Sequence, residues 1–263
     1  MTNDHSHLPD IVTRDAWLAA RLALLEEEKQ VTRLSDRVNA DRRRLPMVLV
    51  EKDYAFDGGA GPVSLLDLFE GRQQLVMHHF MFAPEWETAC PSCSSAADGI
   101  GGLRQLHARN TTLVAVSRAP FAKLDAFRER MGWTFPWYSS FESDFNYDFH
   151  ATLDDRIAPV MLHFRTEAEL AEAGVPWTGG AWTEDMRGTE MPGISAFLRV
   201  GDQVFHTYST FGRGLEVFHN GYPYLDLTAL GRQEDWEEPK GRATILDRQV
   251  GRPGMRLPDE YDG

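Results

Sequence analysis

Cys90 and Cys93 are the only two cysteines in the chain, and just Pro91 and Ser92 separate them. Two intervening residues let the sulfurs close a small disulfide with modest chain rearrangement. The pair follows an apolar run and begins a segment with helical spacing. Amide N–H groups and the dipole at a helix start favour a thiolate, which lowers the pKa of the first cysteine. Cys90 is therefore the expected nucleophile, attacking a disulfide sulfur or an oxidised substrate. Cys93, one turn in, is expected to resolve the mixed disulfide. Such sparse cysteine use excludes a disulfide-stapled secreted scaffold.

Two histidines stand just upstream. His78 and His79 are adjacent on an expected strand, so their side chains leave opposite faces. One of them on the thiol side would stabilise a thiolate or relay a proton at neutral pH; hydrogen-bonded interior histidines are the plainer reading. A metal site would need more than the two sulfurs, because zinc takes four donors. Cys90, Cys93, His78 and His79 form the alternative ligand set, although adjacent rings on a strand diverge. No organic cofactor is required by a dithiol.

The elements that must place these residues are legible in outline. Thr13 to Ala40 lacks Gly and Pro and carries Leu18, Leu22, Leu25, Val31, Leu34 and Val38 in helical stripes. After Pro46, short apolar runs at 47–50 and 54–56 precede an expected short helix over 63–69. The run 74–82 (QLVMHHFMF) reads as a central strand covered on both faces. A helix is expected from Cys90 to about Ala108, then a strand over 111–116 and a helix from Pro120 to Gly132. Aromatic residues crowd 133–149, a short strand is expected at 160–164, and an acidic helix at 167–174. The segment 176–191, with Trp177 and Trp182, is expected to cover an active site or to form a surface loop. A hairpin follows over 195–208, then helical turns at 211–218 and 225–230. Strand, helix, strand, helix in this order indicates an α/β fold with parallel pairing. The organisation is read as an N-terminal helical arm (1–44), a main domain (45–236) and an extended C-terminal tail (237–263) with little to bury. The arm packs on its own domain or crosses a partner subunit, which makes a homodimer through the N-terminal helix one expectation.

With CPSC and Met191-Pro192-Gly193 in place, the span from about Leu45 to Glu234 resembles an uncharacterised bacterial and fungal thioredoxin-like family, a domain of unknown function. The stretches LPMVLVEKDYAFDG, LLDLFEGRQQLVMHHFMF, CPSCS, FNYDF and HTYSTFGRGLEVFHNGYPYLDLTALGRQE carry the likeness. It implies a thioredoxin-like three-layer sandwich with the helical extension and an insertion before a cis-proline position. In such domains a cis proline shapes the cleft facing the dithiol, which assigns that place to Pro192, beside Met191. Residues 61–90 also look like the front half of a peroxiredoxin. Those enzymes carry Pro-x-x-x-Thr-x-x-Cys; here Pro84 and Thr88 keep the first spacing, but the cysteine comes one residue early. Thr88 and Trp86 join the supporting residues on that basis, and Arg118, Arg156 or Arg199 would supply a positive charge. The expected activity is thiol–disulfide oxidoreduction, with a thiol or disulfide substrate and an electron-donor thiol system. A peroxiredoxin-like peroxide reductase and a metal-binding module are the alternatives.

Composition bounds the rest. The 263 residues are 42% apolar, sufficient for a sizeable core. Twenty-seven basic against 40 acidic residues give a net charge of −13, which argues against nucleic-acid or anionic-membrane partners. No secretory signal and no apolar run of about 20 residues is visible, so a reducing, cytoplasmic setting is expected.

Overall fold

A computed structural model describes residues 8–174, 183–245, 248–252 and 254–261. Its centre is strand β4, Gln74–His79, on which Leu75 and Met77 serve one face while His78 and, just beyond the strand, Phe80 serve the other. The near-continuous apolar run is explained by this double burial. Ahead of it lie three short strands, β1 (Val48–Leu49), β2 (Ala55–Asp57) and β3 (Pro62–Ser64). After it come β5 (Thr111–Ser117), β6 (Trp137–Ser139), β7 (Thr152–Leu153), β8 (Thr189–Glu190), β9 (Gly193–Val200) and β10 (Gln203–Phe211). Eight of these form one mixed sheet in the order β1-β10-β9-β4-β5-β6-β2-β3, and β7 pairs with β8 apart from it. β4, β5 and β6 run parallel, whereas β9 and β10 form the expected hairpin, of which β9 pairs antiparallel to β4.

The helices are α1 (Arg14–Arg42), α2 (Pro91–Asp98), α3 (Arg104–His107), α4 (Phe121–Met131), α5 (Phe145–Asp148), α6 (Glu167–Glu172) and α7 (Tyr222–Leu225). Helices α2 and α4 join one core cluster through Cys93, Ala97, Leu124 and Phe127, against Phe80, Phe82, Ala115 and Trp137. The second cluster, with Leu68, Leu75, Met77, Val114, Val116, Phe145 and Phe197, fills the other side of the sheet. The result is an α/β fold with a curled mixed sheet and flanking helices. Among the described residues no helix is long and apolar enough to cross a membrane.

Several elements depart from the sequence pattern for local reasons. The helix expected over 63–69 is instead β3 and a single 3₁₀ turn, Asp67–Phe69. Val63 pairs with Phe56, and Ser64 and Asp67 satisfy each other, Ser64 donating both its N–H and its hydroxyl to Asp67. The helix from Cys90 stops at Gly99, and α3 restarts it after two further glycines, which are poor helix residues. The strand expected at 160–164 reduces to one bridge between Leu162 and Arg165. The turn over Gly212–Phe218 is 3₁₀. Trp177 and Trp182 lie outside the described residues. The tail holds more packing than its composition indicates: Leu257 is buried in the cluster with Cys93, and Arg130 pairs with Asp259 at 2.7 Å.

Helix α1 starts where the sequence places it, with Thr13 Oγ1 accepting from Ala16 N–H at 3.3 Å. Its 29 residues span about 43 Å. None of them is buried, and Trp17, Leu18, Leu22, Val31, Leu34 and Val38 are exposed.

Candidate active site at the start of helix α2

Cys90 is the N-cap of α2 and Pro91 its first helical residue, a position where proline's fixed φ and missing donor suit the helix. The Cys90 N–H donates to the Met81 carbonyl at 3.2 Å, so the segment leaving β4 holds the cap in place. The Cys90 carbonyl accepts from the Ser94 N–H and hydroxyl, both at 2.9 Å. With the backbone fixed at both ends, the Cys90 sulfur accepts the Cys93 N–H at 3.5 Å.

These donors set the charge. The Cys93 thiol donates to the Cys90 sulfur, the Cys93 and Ser92 amides add to it, and together they draw Cys90 down to about 7 against the opposing pull of burial. Cys93 moves the other way: it gives its hydrogen bond to Cys90, is 3% exposed, and is held well above the ordinary thiol value. Both thiols are free. A poised thiolate beside a protonated neighbour is the arrangement that nucleophilic attack followed by resolution requires.

His78 and His79 separate as their strand parity dictates. His79 is buried on the far face, where its Nε2 meets Ser195 Oγ at 2.7 Å and its ring stacks near Phe145. His78 lies on the α2 side, also buried, and lines a cavity together with Cys93 and Pro192. Burial pulls His78 down to about 4 and His79 to about 3, so both rings are neutral at pH 7. A cationic histidine beside the thiolate is therefore not what the fold provides. The alternative metal set fails for the same geometric reason, since His79 is across the sheet from the sulfurs. Among the described residues no three or more His, Cys, Asp or Glu side chains are grouped to hold a metal ion.

Pro192 faces the dithiol side, but the Met191–Pro192 peptide is not cis; the cis bond among the described residues is Glu238–Pro239. The chain runs on from β8 into β9 at this point, with Met191 N–H donating to Ala151 O at 2.8 Å and Pro192 O accepting from Gly212. A trans bond suits a chain that passes between strands without a tight turn. Gly193 follows because a Cβ there would lie 2.7 Å from the Phe211 ring. Thr88 is exposed, and the hydrogen bonds that reach the Cys90 sulfur come from Cys93 and Ser92. Trp86 is half-buried against the cluster that contains Cys93, and its carbonyl accepts from Lys123 Nζ.

Of the three arginines considered, Arg118 stands at the dithiol end of the sheet, directly after β5. Its Nε lies 2.6 Å from Glu190 Oε1, and its Nη1 donates to the Tyr147 hydroxyl at 2.9 Å. Arg156 engages Asp154 at 2.6 Å, and Arg199 sits at the β9–β10 turn. Glu190 is buried and raised to about 7 by that burial, with Arg118 opposing; its charge adds to the upward push on Cys93. Glu190 carried no spacing signal in the sequence. On the cavity's other wall only His219 stood out in the sequence, as one of several histidines with no diagnostic spacing to the cysteines. His219, Tyr222 and Trp236 come from the segment after β10, whose text was distinctive only as part of a resemblance.

Residues 6–261 match the family model described as "Bacterial protein of unknown function (DUF899)". No curated protein matches the chain. Among solved structures, a PrxQ mutant from Xylella fastidiosa is similar at 16% identity, covering 68% of this chain and 94% of that one, with a TM-score of 0.40. The Xanthomonas campestris bacterioferritin comigratory protein follows at 12% identity, 66% and 93% coverage and a TM-score of 0.39. Apo Sco1 from Thermus thermophilus is 14% identical over 62% of this chain and 84% of its own, with a TM-score of 0.27.

Proposed function

Because the chain belongs to the DUF899 family of bacterial proteins of unknown function, membership supplies no activity, and we propose from the site itself a thiol-dependent oxidoreductase that cycles through a Cys90–Cys93 disulfide. The supporting observation is the Cys90 sulfur held at the start of α2 by hydrogen bonds from Cys93 and Ser92. The Cys90 thiolate takes an oxygen from a small hydroperoxide, releasing the alcohol or water and leaving a sulfenic acid. Cys93 attacks that sulfur, water departs, and two external thiols return the disulfide to the dithiol. A small oxidant fits better than a protein disulfide because Cys90 is half-buried and packs on the cluster of Phe80, Phe82 and Ala89. Thiol–disulfide exchange by the same pair is the second reading, favoured by the displacement of Thr88 from the sulfur. Both readings take the sheet, with a core on either side, as a thioredoxin-like three-layer sandwich.

Turnover with hydrogen peroxide, an alkyl hydroperoxide or a small disulfide, each with dithiothreitol as reductant, tests this function. Cys90→Ser is expected to abolish it. Wild-type rates no higher than those of Cys90→Ser with all three oxidants would refute it.

The exposed face of α1 that carries Trp17, Leu24, Val31 and Val38 at a spacing of seven supports a homodimer through the N-terminal helix, because an apolar face of this length is costly in water. Leu24→Glu combined with Val31→Glu is expected to halve the mass seen by sedimentation. A monomeric wild type at micromolar concentration would exclude the dimer.

A further inference from the structure

We infer that the cavity beside α2 admits the electron donor, a low-molecular-weight thiol, and that this thiol attacks the sulfur of Cys93 rather than that of Cys90. The inference rests on the dithiol reading above and deepens it by assigning the second half of the cycle to a different sulfur and a different approach.

The two cysteines do not share surroundings. Cys93 lines a cavity of about 520 Å³ with Ser92 and Ala96 of the same helix face, His78 from β4, and Pro192. Cys90 is not among its lining residues and packs instead on the core cluster of Phe80 and Phe82. The segment after β10 closes the opposite side of the cavity through His219, Tyr222 and Trp236. A space of this size suits a small molecule, since ligand pockets run to roughly 300–1,000 Å³, and it is too small for a folded partner's loop and its flanks.

The cavity also carries recognition groups that the fold does not use. His78 Nε2 and both ring nitrogens of His219 are buried and have no hydrogen-bond partner among the described residues. His78 is 4% exposed and His219 9%, with the latter ring stacked on Tyr222 at 3.7 Å. Buried polar atoms in native proteins are overwhelmingly paired, so three on one cavity mark a place where a polar ligand completes them. Burial depresses both imidazoles, which keeps the rings neutral at pH 7 and leaves a ring nitrogen of each able to accept a hydrogen bond from a polar ligand.

The exchange chemistry agrees with the geometry. In a protein disulfide the sulfur that leaves faster is the one with the lower thiol pKa, which is Cys90. The donor enters as its thiolate, its proton left to solvent, and its sulfur bonds to Cys93 while the Cys90–Cys93 bond breaks. The electron pair leaves on Cys90. A second thiolate of the same class then attacks the outer sulfur of the adduct, releasing the small disulfide and a Cys93 thiolate that takes up a proton from solvent. Two thiols are oxidised, and one protein disulfide is reduced.

Wild-type protein oxidised with diamide is reacted briefly with limiting 2-mercaptoethanol, quenched in acid, alkylated, and mapped by peptide mass spectrometry. The adduct is expected on Cys93 in at least tenfold excess over Cys90. Leu215→Trp, which fills the cavity from its wall, is expected to slow this reduction about tenfold while leaving alkylation of Cys90 in the reduced protein unchanged. An adduct mainly on Cys90, or a folded Leu215→Trp variant reduced as fast as wild type, overturns the inference. Failure of diamide to form any Cys90–Cys93 disulfide overturns the dithiol reading beneath it.

Discussion

The backbone N–H of Cys93 donates to the sulfur of Cys90 at 3.5 Å, across the first turn of the helix that both residues begin. The Cys93 thiol donates to the same atom, so one residue supplies two of the bonds that favour the Cys90 thiolate. Replacing that thiol by a hydroxyl keeps a donor, whereas replacing it by a methyl group removes it. Cys93→Ser is therefore expected to leave the Cys90 alkylation midpoint near 7, and Cys93→Ala to raise it by about 1 unit, toward the ~8.5 of a free thiol. Equal midpoints in the two variants would show that the backbone amides alone set the charge.

The Arg118–Glu190 pair joins the end of β5 to the end of β8 beneath the dithiol, with Glu190 almost wholly buried. Removing one member of such a pair leaves a buried charge uncompensated, at a cost of about 3–5 kcal/mol. Arg118→Met is expected to destabilise by that amount at pH 8 in urea unfolding. The loss should be smaller at pH 5, where Glu190, already raised to about 7 by burial, protonates and no longer needs a partner. Arg118→Met with Glu190→Leu is expected to recover most of the stability. A cost independent of pH would contradict this.

Burial of His78 and His79 gives the fold an acid limit. Their folded values, about 4 and about 3, lie below the ordinary 6.5, so below pH 6.5 the unfolded chain binds more protons. The stability is present in full above about 6.5 and is lost as pH falls toward 4. Each histidine contributes about 2 kcal/mol of loss between pH 7 and pH 5. Glu190 opposes this, because its raised value favours the fold on the acid side of 7. His79→Gln, which keeps a group able to bond Ser195, is expected to flatten the pH dependence by one histidine's share. An unchanged slope in urea midpoints from pH 7 to 5 would refute the assignment.

Much of the frame was legible because its signals are local. The double burial of β4, the Pro120 start and Gly132 stop of α4, and the Gly201-Asp202 hairpin each sit in a few adjacent residues. The placement of Cys90 at a helix start was legible for the same reason. Long-range pairings were not: nothing near Glu190 points to Arg118, 72 residues earlier. The cavity wall from His219 to Trp236 likewise depends on how the segment after β10 turns back over α2. The expected cis proline rested on order alone, and order does not distinguish an extended passage between strands from a tight turn. Leu257 gives no signal in the sequence, because an apolar residue between Arg256 and Pro258 in a charged tail belongs to no helical or strand period.

The dithiol is tested most directly by equilibrating the protein with diamide and then with excess dithiothreitol, with intact mass and peptide mapping after alkylation at each stage. The account predicts an internal Cys90–Cys93 link that forms in the first stage, loses the mass of two hydrogens, and reverses completely in the second. Both cysteines still open to alkylation after the oxidant, or a link only between different chains, would contradict it.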